Sequence, residues 1–473
     1  MYELFSKAVE ATSNVMYSYL LIILLLAVGL YFTFRTKFVQ FRMLGEAVRL
    51  VTEKSDGKNS VSAFQALMVS TASRVGTGNI VGVANAIAIG GYGSVFWMWV
   101  IALVGGASAF VESTLAQVYK KSDGKGGSYG GPAYYIEAAL GKRWLGVIFA
   151  VALVATYAVG FNMLCSYNLV TCLSQYSFYG DPAASKVPLI CGAILAVLVA
   201  ICVLGGGKRI VRVTSFLVPV MGVSYILMAL VAMVLNAGTL PVVFREIFAG
   251  AFDFRAIFGG FAGSALMQGI KRGLYSNEAG VGSAPNAAAA ANVSHPVKQG
   301  LVQMLSVFID TLLICTATAM MCLSSGITPS PELSGAPFVQ SALAVNFGKF
   351  GYYFITFALL LFAFTTLLGN LFYCEGCLNY IANRTLSKKT MILFNLIASG
   401  IVFVGALLDF GLVWNLADVL MGIMAIINLP VIVVLGKTAI AAMKDYTRQR
   451  KAGENPVFKA ASIGLKNKTD FWN

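Results

Sequence analysis

Charge is what this chain has least of: Asp, Glu, Lys and Arg make up 11% of its 473 residues, where soluble domains carry about 25%. Histidine is nearly absent as well. The single His295 excludes a His-rich metal centre and a His-Glu-x-x-His motif, and no Ser-His-Asp set supports an enzyme. No paired catalytic carboxylates stand in for them, so an enzyme is not expected and no cofactor is implied. The chain opens without a basic leader and small-residue cleavage site, and its first hydrophobic run reads as a retained span. A disulfide framework is not expected either. The eight cysteines, at 165, 172, 191, 202, 315, 322, 374 and 377, fall mostly within apolar runs and read as small packing residues. Cys374-Glu375-Gly376-Cys377 has redox spacing but lies in a predicted membrane helix with no second pair.

Apolar residues fill the place of charge. They make up 58% of the chain, and mean hydropathy is +0.78. Long apolar runs recur, which is the pattern of an all-α polytopic membrane protein whose partner is the lipid bilayer. About eleven transmembrane spans are predicted, near 16–34, 62–90, 94–119, 145–175, 187–204, 213–236, 254–275, 298–325, 350–381, 391–408 and 413–436. Residues 35–60 are basic and partly amphipathic, as an interfacial helix would be. The net charge of +14 would point to nucleic acid in a soluble domain. Here it is a loop property. With the N-terminus outside, the inside segments hold 28 Lys and Arg, among them Lys271, Arg272 and Lys298 in one connection, and the outside segments hold 5. That asymmetry places the C-terminus in the cytoplasm. Residues 437–473 read as a basic cytoplasmic tail that meets anionic headgroups, poorly ordered over its last twenty or so residues. Short loops fit a bacterial inner (plasma) membrane, and no obligate protein partner is evident.

One run contains what a membrane helix should not: Ser70-Thr71-Ala72-Ser73-Arg74-Val75-Gly76-Thr77-Gly78-Asn79-Ile80-Val81-Gly82. Each Gly weakens an interior helical turn by roughly 1 kcal/mol relative to Ala. A helix broken there frees carbonyls on its first half and N–H groups on its second. In hydrocarbon such groups persist only where they face a protein-lined cavity. Freed carbonyls suit a cation and freed N–H groups a carboxylate. The Gly spacing is not a dinucleotide fingerprint, and no strand precedes it. A second glycine-interrupted helix is predicted at 254–275, with its break at Gly259-Gly260-Phe261-Ala262-Gly263-Ser264. The chain then divides into residues 1–61, two five-helix units at 62–236 and 254–436, and the tail at 437–473. Five being odd, the two units have opposite topology, and paired broken helices in inverted halves point to a midplane binding site. Chance Gly-rich helix contacts are the alternative.

Gly76-Thr77-Gly78-Asn79-Ile80-Val81-Gly82-Val83-Ala84, Gly90-Gly91-Tyr92-Gly93 and Phe96-Trp97-Met98-Trp99 resemble the alanine/glycine:cation symporter family, the sodium:alanine symporters. So does Lys271-Arg272-Gly273-Leu274-Tyr275-Ser276-Asn277-Glu278-Ala279-Gly280, followed by Gly282-Ser283-Ala284-Pro285. The resemblance runs from about residue 15 to 440. It implies the LeuT-type 5+5 inverted repeat of the amino acid–polyamine–organocation superfamily, with one extra N-terminal helix. It also implies a substrate site at Gly76, Thr77, Gly78, Asn79 and Ile80, with Phe261 and Ser264 from the second broken helix. Thr365 and Thr366, with the carbonyls of Ala72 and Val75, match the sodium site of such transporters. Two positions depart from the family pattern. Many members carry Gln where this chain reads Met163-Leu164-Cys165-Ser166-Tyr167, and some carry Trp where it has Asn370. Cys165 and Asn370 are therefore expected to touch the substrate and to bear on its identity.

The chemistry of these residues agrees with that reading. Sodium prefers oxygen ligands, and two hydroxyls with freed carbonyls supply them. Back-bonding of Thr365 and Thr366 to the preceding helical turn is the plain alternative. Asn79 offers both a carbonyl oxygen and an amide. Arg74, inside a span, needs a partner, and Glu112, Asp310 and Glu375 are the candidates. Asn277 and Glu278 read as inner-gate structure, together with Arg74. The expected function is import of a small neutral amino acid, alanine or glycine first, with sodium as the co-transported ion. Glutamine or another neutral substrate, proton coupling, and a channel are the rivals.

Overall fold

The computed structural model describes residues 2–53, 61–124, 127–181, 184–252, 264–465 and 469–472. Almost all of it is helical, because a backbone in hydrocarbon must bond within its own segment. The elements that position the site are α1 (Tyr2–Arg35), α2 (Leu44–Val51), α3 (Ala63–Arg74), α4 (Gly78–Gly90), α5 (Gly93–Val118), α6 (Pro132–Leu140), α7 (Arg143–Gln175), α8 (Val187–Val203), α9 (Gly207–Leu235) and α10 (Leu240–Ala251). They continue with α11 (Ala265–Asn277), α12 (Ala284–Ala290), α13 (Pro296–Leu323), α14 (Gly335–Phe347), α15 (Lys349–Ala382), α16 (Lys388–Gly405) and α17 (Phe410–Lys451). Among the described residues eight helices are long and apolar enough to cross a membrane, with α4 and α8 shorter apolar helices beside them.

Local sequence explains where several helices begin. Ser62 and Gln65 form a reciprocal capping box at the start of α3, and the Asp409 side chain caps α17. At 42 residues, α17 is about 63 Å long, twice the hydrocarbon thickness, so its basic last turns extend well past the bilayer. Helix α5 is the axis of one packed body, lying along α13, α11, α1 and α12. Helix α15 organises the other, against α3, α7, α9 and α14, while α17 lies on α1, α5 and α7. Helix α2 is amphipathic as expected. Ala47 and Leu50 are buried, Val48 and Arg49 are exposed, and the helix rests on α13.

Among the described residues the helical path is interrupted at two glycine-containing stretches. The first break falls where the sequence places it: α3 ends at Arg74, and Val75 leaves the helical region with ψ 84°. A second is expected at 259–264. Gly259 to Gly263, including Phe261, are outside the described residues, and Ser264 caps the start of α11. Among the described residues the chain also leaves the helix at 278–283, where Glu278 (φ 53°), Gly280 (φ 83°) and Gly282 (φ 92°) take left-handed or related conformations before α12 resumes. This is the Asn277-Glu278-Ala279-Gly280 motif, which the sequence reading assigned to a cytoplasmic gate.

Two further expectations change. Lys271 and Arg272 are not in a loop. They lie within α11, both buried and both paired with Asp418 of α17, at 2.9 and 3.2 Å. The asymmetry of Lys and Arg survives their removal from the inside count. The chain after α17, expected to lack order, folds back onto the bundle. Phe458 N donates to Ser294 O at 2.9 Å, and Trp472 Nε1 to Gln117 O at 2.8 Å. The aromatic residues of this segment explain the difference: Phe458 is only 3% exposed, and burying such a ring contributes about 1.5–3 kcal/mol.

Candidate functional site

The break between α3 and α4 is lined on three sides. Its own backbone is partly satisfied by Asn79, whose Oδ1 accepts from Gly76 N at 2.9 Å. The Asn79 amide reaches the other way, donating to Asp310 Oδ1 at 2.7 Å and Ser276 Oγ at 2.9 Å. Asp310 Oδ2 accepts from Ser276 Oγ at 2.6 Å and Thr311 Oγ1 at 2.8 Å, and Asn277 Nδ2 donates to Thr311 Oγ1 at 3.3 Å. Asn79 therefore ties the broken helix to α11 and α13 rather than standing open.

On the side of α15, Thr366 Oγ1 donates to the carbonyl of Ala72 at 3.0 Å. Gly76 is required there, because a Cβ at that position would overlap Thr366 Oγ1. Thr365 does not join it. Its Oγ1 donates to Leu361 O at 2.9 Å and Phe362 O at 3.2 Å, and lies 3.4 Å from Met221 Sδ of α9. Consecutive helical residues point about 100° apart, so one hydroxyl of the pair meets the broken helix and the other turns back on its own turn.

The remaining side is formed by α7 and α11. Asn168 Nδ2 donates to Thr77 Oγ1 at 3.0 Å, and Thr77 Oγ1 lies 3.8 Å from Cys165 Sγ. The Tyr275 ring covers Gly78, where a Cβ would strike it. Tyr275 in turn packs at a tilt against Phe161 and Trp414, with centroids 4.9 and 5.2 Å away. Arg272 lies over Trp414 at 4.3 Å while paired with Asp418, so an ion cluster caps the aromatic group.

Several predicted residues sit elsewhere. Ser264 accepts from Met267 N at the start of α11, roughly 16 Å of helix from Tyr275, and it does not line the break. Asn370 is buried but engaged, accepting from Ser73 Oγ at 2.7 Å and donating to Asn162 Oδ1 at 3.0 Å. Ile80 is fully buried in the core. Arg74 is buried and donates to Gln303 O at 3.3 Å. Its Nε and second NH2 have no hydrogen-bond partner, and no ion pair within 4.0 Å joins it to an acid, among the described residues. Glu278 accepts from Ser283 Oγ at 2.6 Å across the second break. Glu112 accepts from Gly280 N at 3.3 Å and Asn428 Nδ2 at 2.9 Å. The second break is thus held by carboxylates rather than opened by glycine alone.

Sequence reasoning missed Asn168, Tyr275, Trp414 and the junction at Asp310. Asn168 was within reach, since it follows Cys165 by one helical turn and shares its face. Asp310 was noticed only as a partner for Arg74.

Comparison with known proteins identifies the family. A family model described as the sodium:alanine symporter family matches residues 2–460. The chain is 44% identical to the "Probable sodium/glutamine symporter GlnT" of Bacillus subtilis, covering 100% of this chain and 97% of that one. It is 45% identical to the "Amino-acid carrier protein AlsT" of the same organism, covering 99% and 98%. It is 38% identical to the "Sodium/alanine symporter AgcS" of Methanococcus maripaludis, covering 94% and 98%. Among solved structures, MhsT in complex with L-phenylalanine superposes with a TM-score of 0.58 at 15% identity, covering 86% of this chain and 95% of that one, a likeness of fold. This chain belongs to the sodium:alanine symporter family, a family of transporters and not of enzymes.

Proposed function

We propose that this chain imports a small neutral amino acid, alanine or glycine first, together with sodium, by alternating access across a bacterial plasma membrane. In this reading the N-terminus is outside and the C-terminus cytoplasmic, and the two five-helix units at 62–236 and 254–436 carry the motion. The observation that supports it most is the placement of the break at Val75–Thr77. It has a hydroxyl of Thr366 beside the Ala72 carbonyl on one side, and Thr77, Cys165, Asn168 and the Tyr275 ring on the other. Oxygen atoms suited to a sodium ion thus adjoin polar and aromatic side chains suited to an amino acid. One charge moving through 100 mV supplies about 2.3 kcal/mol, enough for about 50-fold accumulation.

Glutamine is the second reading, and one feature favours it. Asn168 Oδ1 is buried without a hydrogen-bond partner among the described residues, so it can accept from a side-chain amide. Competition settles the choice. Sodium-driven uptake of labelled alanine into proteoliposomes, challenged with glycine, serine, glutamine and D-alanine, should be inhibited most by glycine or serine on the first reading. Strongest inhibition by glutamine supports the second. Uptake that ignores sodium and follows a proton gradient overturns both.

A further inference from the structure

We propose that residues 455–465 and 469–472, which follow α17, form a strap that ties the end of α17 to the end of α5 and the start of α13, and has to release for the inner route to open. The inference rests on the transport reading above.

The strap starts at the end of α17 and ends on α13 and α5. Asn455 Oδ1 accepts from Lys298 Nζ at 2.9 Å, at the start of α13. Phe458 pairs its backbone with Ser294, and the Ser294 hydroxyl donates back to Pro456 O at 2.8 Å. The Phe458 ring sits between His295 and Trp472, with centroids 5.0 and 5.5 Å away. Trp472 then bonds Gln117 at the end of α5, and Lys120 Nζ lies 4.8 Å from the Phe471 ring and 5.1 Å from that of Trp472.

The points of attachment matter more than their number. Residues 291–295 connect α12 to α13, so only the short helix α12 separates them from the break at 278–283, and α5 is the axis of the body that contains it. Any movement of α12 and α5 away from α17 has to slide under the strap or detach it. A transporter needs its two states within a few kcal/mol of each other. Desolvated aromatic and cation–π contacts of this kind are enough to bias that balance about tenfold.

A double variant, Ser294→Cys with Phe458→Cys, tests this directly, since a hydrogen-bonded backbone pair lies within the span a disulfide bridges. The protein is reconstituted in proteoliposomes, and sodium-driven alanine uptake is read before oxidation, after it, and after reductant. Oxidation should slow uptake about tenfold and reductant should restore it, while each single-cysteine variant is indifferent to oxidant. Equal rates in the bridged and reduced forms, or failure of the bridge to form, overturn the strap. Reduced protein that carries no amino acid with sodium overturns the transport reading and the strap with it. Phe458→Ala gives an independent measurement: exchange from the cytoplasmic side should quicken severalfold, and an unchanged or slower exchange contradicts the proposal.

Discussion

Thr366 Oγ1 reaches across from α15 to the carbonyl of Ala72, 3.0 Å away, at the last turn of α3 before the break. Its neighbour Thr365 bonds to Leu361 and Phe362 on its own helix. If the broken helix and α15 share a sodium ion, the two hydroxyls contribute unequally.

Thr366→Ala is expected to raise the sodium concentration for half-maximal uptake about tenfold or more, the equivalent of losing one oxygen contact to a charged ligand. Thr365→Ala should change it much less. Sodium titration of initial uptake rates checks both, and an equal effect of the two substitutions contradicts the asymmetry.

Substrate choice should respond to the polar group around Thr77. Cys165→Gln adds an amide where many family members carry one, and Asn168→Ala removes the donor to Thr77 Oγ1. Both are expected to reorder competition among glycine, alanine, serine and glutamine by about five- to tenfold, without a matching change in sodium dependence. An unchanged ranking in both variants removes this side of the break from the substrate site.

Much of this was legible from the chain alone, for a definite physical reason. Gly76 and Gly78 in an apolar run mark a helix that cannot continue, and the structure breaks it there. The break expected at 259–264 lies outside the described residues apart from Ser264, and glycines further along that helix mark close packing. Gly269 and Gly273 serve that purpose, against Ser94 with Trp97 and against Ile101. The interruption the structure describes lies in a polar motif, 278–283, that resembles a loop when read as sequence. Lys271 and Arg272 were misplaced for a similar reason. Asp418, which neutralises them, is 146 residues from Arg272 along the chain, and no local pattern announces it.

That cluster predicts a stability effect. Asp418→Asn leaves two buried cations without their carboxylate and is expected to cost about 3–5 kcal/mol, seen as a lower unfolding temperature in detergent. Adding Lys271→Met should recover part of the loss. A stable Asp418→Asn protein contradicts the ion-pair assignment.

Acidification should act at the strap. His295 lies outside the spans and faces Asp445 at 3.4 Å, with Lys298, Tyr446 and Phe458 around it. Burial outweighs the attraction of Asp445 and pushes the imidazole down to about 4. A base whose pKa falls on folding is penalised once the unfolded chain binds a proton that the folded one refuses. Stability should therefore decline as pH falls below about 6.5, with the full loss reached below about 4. His295→Gln should flatten that part of the curve relative to the parent protein, read as unfolding temperature at stepped pH. Parallel curves contradict it.

The central claim is that sodium and amino acid cross together. Coupling is reciprocal, so the most direct measurement is uptake of radioactive sodium into proteoliposomes that have no sodium gradient but an inward alanine gradient. The account predicts saturable sodium accumulation that requires the amino acid and weakens in Thr366→Ala. Sodium entry indifferent to alanine, glycine and glutamine alike, with protons following the amino acid instead, would contradict it.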